Sequence, residues 1–451
     1  MDRRRFLARV VQGTTATAVI GETSASAAVE SASATQSIPL LDHDPVVVYE
    51  SPKPAAVFAY SPGLAVLPDG TLVATFDHEH TVKDETCPDG SPLKGRICTS
   101  SDGGRTWVQR AAMPIYHARP FVAGNSVYVL GHNMNLGVMR SDDGGVTWSN
   151  VSWLSKDQEW HQAPCNVHYC RGRVYLVMER VTDPSWPEWP VHIMAPVLMS
   201  APVNADLTQR EAWTFSSEIT YREVIAEYGE PNLIGVPFFT KGDVTPDIPD
   251  DHRPMATPGW LETNVVQFTD PNHLWFDPSG RTFHLWMRAH TGSTNYAAIL
   301  KAVESEDANS ITVSVEKAPS GEPIVFVPCP GGHMKFHLLY DEPSQRFWML
   351  TTQSTDSMTR PDRLPADRFN LPSNERQRLV LYFSRNCMDW CFAGRVDDTG
   401  TYGQSRHYAS MAVRGDDLCV LSRSGDERAK SAHDTNLITF HTVRDFRGLT
   451  Y

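Results

Sequence analysis

This chain has no Cys-x-x-Cys pair, no long apolar run, no surplus of basic charge and few stretches with helical periodicity. Each lack removes a class of protein. Without CxxC pairs, the eight cysteines (87, 98, 165, 170, 329, 387, 391 and 419) support neither a zinc site nor a dense disulfide scaffold. Cys87/Cys98 and Cys387/Cys391 are the pairs able to bridge in an oxidising compartment, and sequence does not assign them. The rest are expected as small buried hydrophobes. A formal net charge of -13 argues against nucleic acid as a partner, because nucleic-acid readers carry a basic footprint. It does not exclude an anionic ligand, since a few buried arginines dominate one pocket locally. No segment reads as a membrane span, and no motif implies a metal or an organic cofactor.

What is present is a core-forming composition of 41% hydrophobic and 21% charged residues. The N-terminus carries Arg3-Arg4-Arg5-Phe6-Leu7, a modestly apolar stretch and Ala25-Ser26-Ala27. That order predicts a twin-arginine export signal over residues 1–28 and an exported, periplasmic or extracellular protein. A basic tail is the alternative. Residues 29–42, with "ESASATQS", read as a linker, and 43–451 as the folded part.

Six times the folded part spells an apolar run, a Gly/Asp/Asn turn and a second apolar or alternating run: 63–76, 119–132, 165–179, 273–288, 336–351 and 408–422. They recur at intervals of roughly 50–70 residues, with one longer gap, which is the signature of a repeat built from hairpins. The expectation is an all-β, six-bladed β-propeller. The long gap, 181–262, carries "DPSWPEWP" and "TPDIPDDHRPMATPGW". It reads as an irregular insertion between blades 3 and 4 that shapes the pocket mouth, or as a second small domain. Of the few stretches with helical periodicity, "TYREVIAEYG" near residue 225 is the strongest.

"SSDGGRTW" (Ser100–Trp107) returns as "SDDGGVTW" (Ser141–Trp148), each after a hairpin and a third strand. Ser and Asp can bond their own turn backbone, Gly admits positive φ, and Trp packs beneath. These octapeptides resemble the Asp-box of the sialidase superfamily, with "SRNCMDW" (Ser384–Trp390) as a degenerate relative. They are read as folding devices, not as the site.

The resemblance extends over most of the chain from about residue 45 onward. It implies a central pocket in which three arginines clamp a sugar carboxylate, a Tyr paired with a Glu is the nucleophile, and an Asp is the acid/base. A tyrosine makes chemical sense there. Neutral until activated, it is not repelled by a carboxylate on the anomeric carbon. Arginine's planar fork suits the clamp. Carried over residue by residue, "WLETNVVQF" and "GRTFHLWMRAH" point to Glu262 and Arg288. "RQRLVLYFSRNCMDW" points to Arg376, with Arg378 as competitor on the same strand face, and "RHYASMAVRGDD" points to Tyr408. For the acid/base Asp84 fits best, with Glu85 and Asp89 nearby.

The chain also departs from the family. Where the resemblance calls for the first arginine, the sequence reads "AYSPGLAVLPDG", with Tyr60 or Ser61 in its place. Loss of one buried bidentate contact costs about 2–5 kcal/mol of binding. Either the acidic sugar differs or another residue supplies the cation. Strand-end histidines are the candidates: His78, His80, His117, His132, His161 and His168.

Three functions stay open. The first is a retaining exo-glycosidase acting on a terminal acidic sugar of a glycan. The second is a lyase that cleaves uronate chains by β-elimination with a His/Tyr pair. The third is a non-catalytic carbohydrate-binding propeller. Convergence of Tyr408, Glu262, Arg288 and Arg376 on one pocket is required by the first.

Overall fold

The computed structural model describes residues 38–79, 86–229, 257–291, 294–359, 363–364 and 374–451. The predicted signal segment and most of the predicted linker lie outside them. Six principal antiparallel sheets follow one another along the chain, each a blade. Blade 1 is Phe58–Val66, Leu72–Glu79, Gly95–Ser100 and Val108–Met113, from the channel outward. Blade 6 contributes Ser405–Arg414, Asp417–Gly425 and Leu437–Val443, and its outermost strand is Val46–Glu50 from the other end of the chain. That pairing closes the ring. The architecture is an all-β, six-bladed β-propeller.

Period-two alternation builds it. On the second strand of blade 1, Leu72, Ala74 and Phe76 pack against Leu421, Ile438 and Phe440 of blade 6. The intervening Val73 packs toward blade 2 with Val127 and Val129. Each strand thus feeds two interfaces with alternate side chains. The ring holds six such apolar clusters, one between each neighbouring pair of blades. All eight cysteines are free thiols, six of them buried.

Two expectations need correction. Residues 181–262 are not one insertion. Met194–Pro202 and Thr214–Phe215 are outer strands of blade 3, and Gly259–Val266 is the inner strand of blade 4. Between them the helix Tyr221–Tyr228 starts at a Thr220/Glu223 capping box, as its periodicity predicts, and 230–256 lie outside the described residues. The hairpin expected over 273–288 also differs, because only Thr282–His290 is a strand and its partner is Gly259–Val266. The apolar "HLWF" belongs to a loop in which His273 stacks on Phe268 at 3.7 Å and Trp275 on His284 at 4.7 Å. The end of the expected linker is docked too: Leu41 donates its N–H to the Arg395 carbonyl at 2.7 Å.

The repeated octapeptides sit between the third and fourth strands of blades 1 and 2. In the first, Asp102 accepts from the N–H groups of Arg105 and Thr106 and from the Thr106 hydroxyl. Ser100 accepts from the Gly104 N–H, and the Trp107 indole donates to the Gly104 carbonyl. Ser141, Asp143, Gly145, Thr147 and Trp148 repeat every contact. In the degenerate copy Asn386 replaces the aspartate and accepts from the N–H groups of Met388 and Asp389. The first turn also locks blade 1 to blade 6. Gly104 has φ +90, and a Cβ there would stand 2.1 Å from the Phe440 ring. Gly104→Ala is therefore expected to cost about 2–4 kcal/mol from backbone strain plus overpacking. Thermal unfolding checks it, and a midpoint within about 1 °C of wild type would contradict this role for the turn.

Candidate functional site

Four inner strands share one irregularity. Their pairing slips between Tyr60 and Gly63, Tyr116 and Arg119, Leu261 and Asn264, and His407 and Ser410. At each slip one residue is left-handed: Ser61 (φ 45), His117 (φ 52), Glu262 (φ 61) and Tyr408 (φ 51). None is glycine, so each bulge stores strain, and a bulge re-aims the side chain it carries. Opposite the residue before each bulge, the second strand presents Asp77, His132, Arg288 and Arg423. A ring of polar side chains thus forms at one end of the channel.

Their contacts centre on Tyr408. Arg288 Nη1 donates to the Tyr408 hydroxyl at 2.6 Å and lies 3.4 Å from Glu262 Oε2, while its Nε donates to the His333 carbonyl at 2.8 Å. Arg376 Cζ is 5.9 Å and Arg423 Cζ 5.2 Å from the Tyr408 ring. Glu262, Arg288, Arg376 and Arg423 are all buried, whereas Tyr408 keeps partial exposure. Burial raises the Tyr408 hydroxyl above the usual tyrosine range. Arg288, Arg376 and Arg423 pull it down and Glu262 pushes it further up.

The four residues expected to converge do so. Arg378 does not join them: it lies 3.8 Å from Glu375 and 3.7 Å from Asp398 on the outer side of blade 5. His78 is also elsewhere, bonded to Arg96 at 3.0 Å and edge-on to Tyr49 in the interface between blades 6 and 1. His168 bonds Gln267 at 3.0 Å away from this ring. Asp84, Glu85 and His80 lie outside the described residues.

Arg423 was not anticipated. It stacks over Tyr60 at 3.6 Å and donates to the His433 carbonyl. Tyr60 in turn donates to Asp434 at 2.5 Å. The guanidinium of blade 6 therefore rests on Tyr60, in the stretch where the resemblance calls for an arginine. Beside it lies a histidine cluster. His117 Nδ1 is 2.8 Å from His132 Nε2, and the His161 ring is 4.7 Å from His117 and 5.2 Å from Trp189. Asp77 accepts from the backbone N–H of His117 at 2.8 Å, and its other oxygen lies 3.7 Å from His117 Nε2. Burial, joined by neighbouring His161, holds His117 and His132 well below the ordinary histidine range, and burial brings His161 down to about 4. All three are neutral at pH 7. Among the described residues, no group of three or more His, Cys, Asp or Glu is placed to hold a metal ion, and no helix is long and apolar enough to cross a membrane.

The sequence matches no family model and none of the curated proteins. The structure is similar to a Hadza microbial sialidase, with a TM-score of 0.50 and 13% identity over 89% of this chain and 68% of that one. An α-L-arabinanase of Penicillium chrysogenum, complexed with arabinobiose, gives 0.49 and 11% over 89% of this chain and 98% of that one. The sialidase of Trypanosoma rangeli, in complex with sialic acid, gives 0.47 and 11% over 90% and 59%. At such identities the likeness is one of fold. What the chain shares with them is the six-bladed propeller fold.

Proposed function

We propose that this propeller is a carbohydrate-acting enzyme, a retaining exo-glycosidase that removes a terminal acidic sugar from glycans. The observation that carries the reading is the placement of three buried arginines, 288, 376 and 423, around one partly exposed tyrosine beside a buried glutamate. Three cations in one pocket call for an anionic ligand. In this reading Arg423 supplies from blade 6 the cation absent at Ser61. Tyr408 attacks the anomeric carbon while Glu262 takes its proton. Asp84, placed by its sequence position, protonates the leaving oxygen and then draws a proton from the incoming water, whose attack releases the sugar from Tyr408. The turns at Ser100–Trp107 and Ser141–Trp148 are then Asp-boxes in a folding role.

One observation favours the lyase as second reading. The neutral His117–His132 pair, with Asp77 Oδ2 3.7 Å from His117 Nε2, lies near Arg423 and so near Tyr408. A neutral imidazole could remove the proton next to a uronate carboxylate held by arginine, with Tyr408 as the acid. Product masses decide between them. Sialylated and uronate-rich glycans are incubated with the protein, and hydrolysis is expected to give products that together carry one added water. Fragments lacking that water and ending in an unsaturated sugar would establish the lyase instead. Silence across the panel would leave a binding propeller.

A further inference from the structure

The polar ring at Tyr408 occupies one end of the channel, and the other end holds a second feature. A cavity of about 830 Å3 is lined by the later halves of the inner strands, including Gly63–Val66, Arg119–Gly124, Val265–Gln267 and Ser410–Val413. These residues follow the four bulges in chain order, so the cavity faces away from Tyr408. Arg119, Cys165 and His337 line it too.

Arg119 is 2% exposed, and among the described residues none of its three guanidinium nitrogens has a hydrogen-bond partner. His337 is 6% exposed, and its Nδ1 likewise has no partner. Close by, Lys335 is 1% exposed and spends its donors on the Ala409 carbonyl at 2.6 Å and the Ser410 hydroxyl at 3.2 Å. The carboxylate near enough to act on Arg119 is Glu179, but it forms no ion pair with it among the described residues. Its Oε1 is taken by the Thr263 N–H and hydroxyl. Burial pushes Glu179 up to about 8, so at neutral pH it is mostly protonated and offers little negative charge. The Asp341 carboxylate at the cavity wall is committed to Arg447 at 2.8 Å.

A buried guanidinium keeps its charge in proteins and is costly to leave unpaired. Among the described residues no carboxylate forms an ion pair or hydrogen bond with the Arg119 guanidinium, and Arg119 and His337 both line the cavity. We infer that the cavity is an anion-binding site whose inner end, Arg119 with His337, takes a small monovalent anion, a halide or a free carboxylate. This site is separate from the pocket at Tyr408 and does not depend on the function assigned there.

The test uses the full chain at constant ionic strength in sodium gluconate, sodium bromide or sodium acetate. Bromide is expected to raise the wild-type unfolding midpoint by roughly 1–3 °C over gluconate, with no such gain in Arg119→Met. In crystals grown with bromide, an anomalous peak is expected at the Arg119 guanidinium. This second measurement stands even if the variant does not fold. A gain in acetate alone would assign the site to carboxylates, and gains in both salts to small anions generally. Crystals with neither bromide nor acetate at Arg119, or equal gains in wild type and variant, overturn the inference.

Discussion

Tyr408→Phe is expected to lower turnover by about 10³-fold or more while leaving the protein folded. The second half of that statement comes from the contacts. The hydroxyl removed accepts one hydrogen bond, from Arg288, and Arg288 keeps its bond to the His333 carbonyl and its proximity to Glu262. The ring stays between Arg376 and Arg423. The first half follows from the role proposed for that oxygen as the nucleophile. Without it no covalent intermediate forms, and neither Glu262 nor the arginines can replace the lost bond. Rapid quenching and intact-protein mass spectrometry should show wild type gaining one glycosyl residue during turnover and the variant gaining none. Turnover retained in a folded variant would remove Tyr408 from the mechanism. Loss of turnover with no glycosylated wild type under any quench would fit Tyr408 as an acid and favour the lyase.

The same residues show how much of this was legible in the sequence. The hairpin period and the repeated octapeptides gave the propeller, because alternation and turn chemistry are local. The resemblance pointed to Glu262 and Tyr408 as candidates, but their bulges were not legible. A bulge requires left-handed backbone at a residue that local preference would place in a regular strand. For the same reason the inner strand of blade 4 was missed. "WLETNVVQF" carries Glu, Thr and Asn at 262–264, and these polar residues erase the apolar run that marks the other hairpins. The apolar "HLWF" mimics a strand in its place, although its aromatics pack a loop.

Arg423 had a signal that was not used. It pairs with His407, the residue before the Tyr408 bulge, just as Arg288 pairs with Leu261 before the Glu262 bulge. At equivalent positions opposite the four bulges stand Asp77, His132, Arg288 and Arg423. Arg376 shows the reverse. It precedes the strand Arg378–Ser384, so period-two alternation does not govern where it points, and this is why it and Arg378 part company.

The protein is also expected to lose stability steeply as pH falls from about 6.5 toward 4, well before ordinary carboxylates titrate. Burial first, with Arg96 assisting, brings His78 down to about 4. Burial likewise brings His161 down to about 4, and burial with Arg423 brings His433 to about 3. His117, His132, His337 and His407 are held well below the ordinary range, with burial the leading cause in each. An unfolded histidine takes up its proton near 6.5, while these take it up only much lower. Between those limits the unfolded chain binds more protons, so stability falls as pH falls. For a group as buried as His78 the full effect is about 3 kcal/mol. Several such groups together rival the roughly 5–15 kcal/mol that holds a domain folded. Glu179 works in the opposite sense, losing stability as pH rises toward 8, but it is one group against seven. Unfolding midpoints from pH 7.5 to 4 should therefore bend downward near 6.5. A flat profile down to about 4.5 would mean that these histidines are charged in the native protein. The pocket would then hold a row of imidazolium cations beside its arginines, and the neutral His117–His132 base of the lyase reading would be gone.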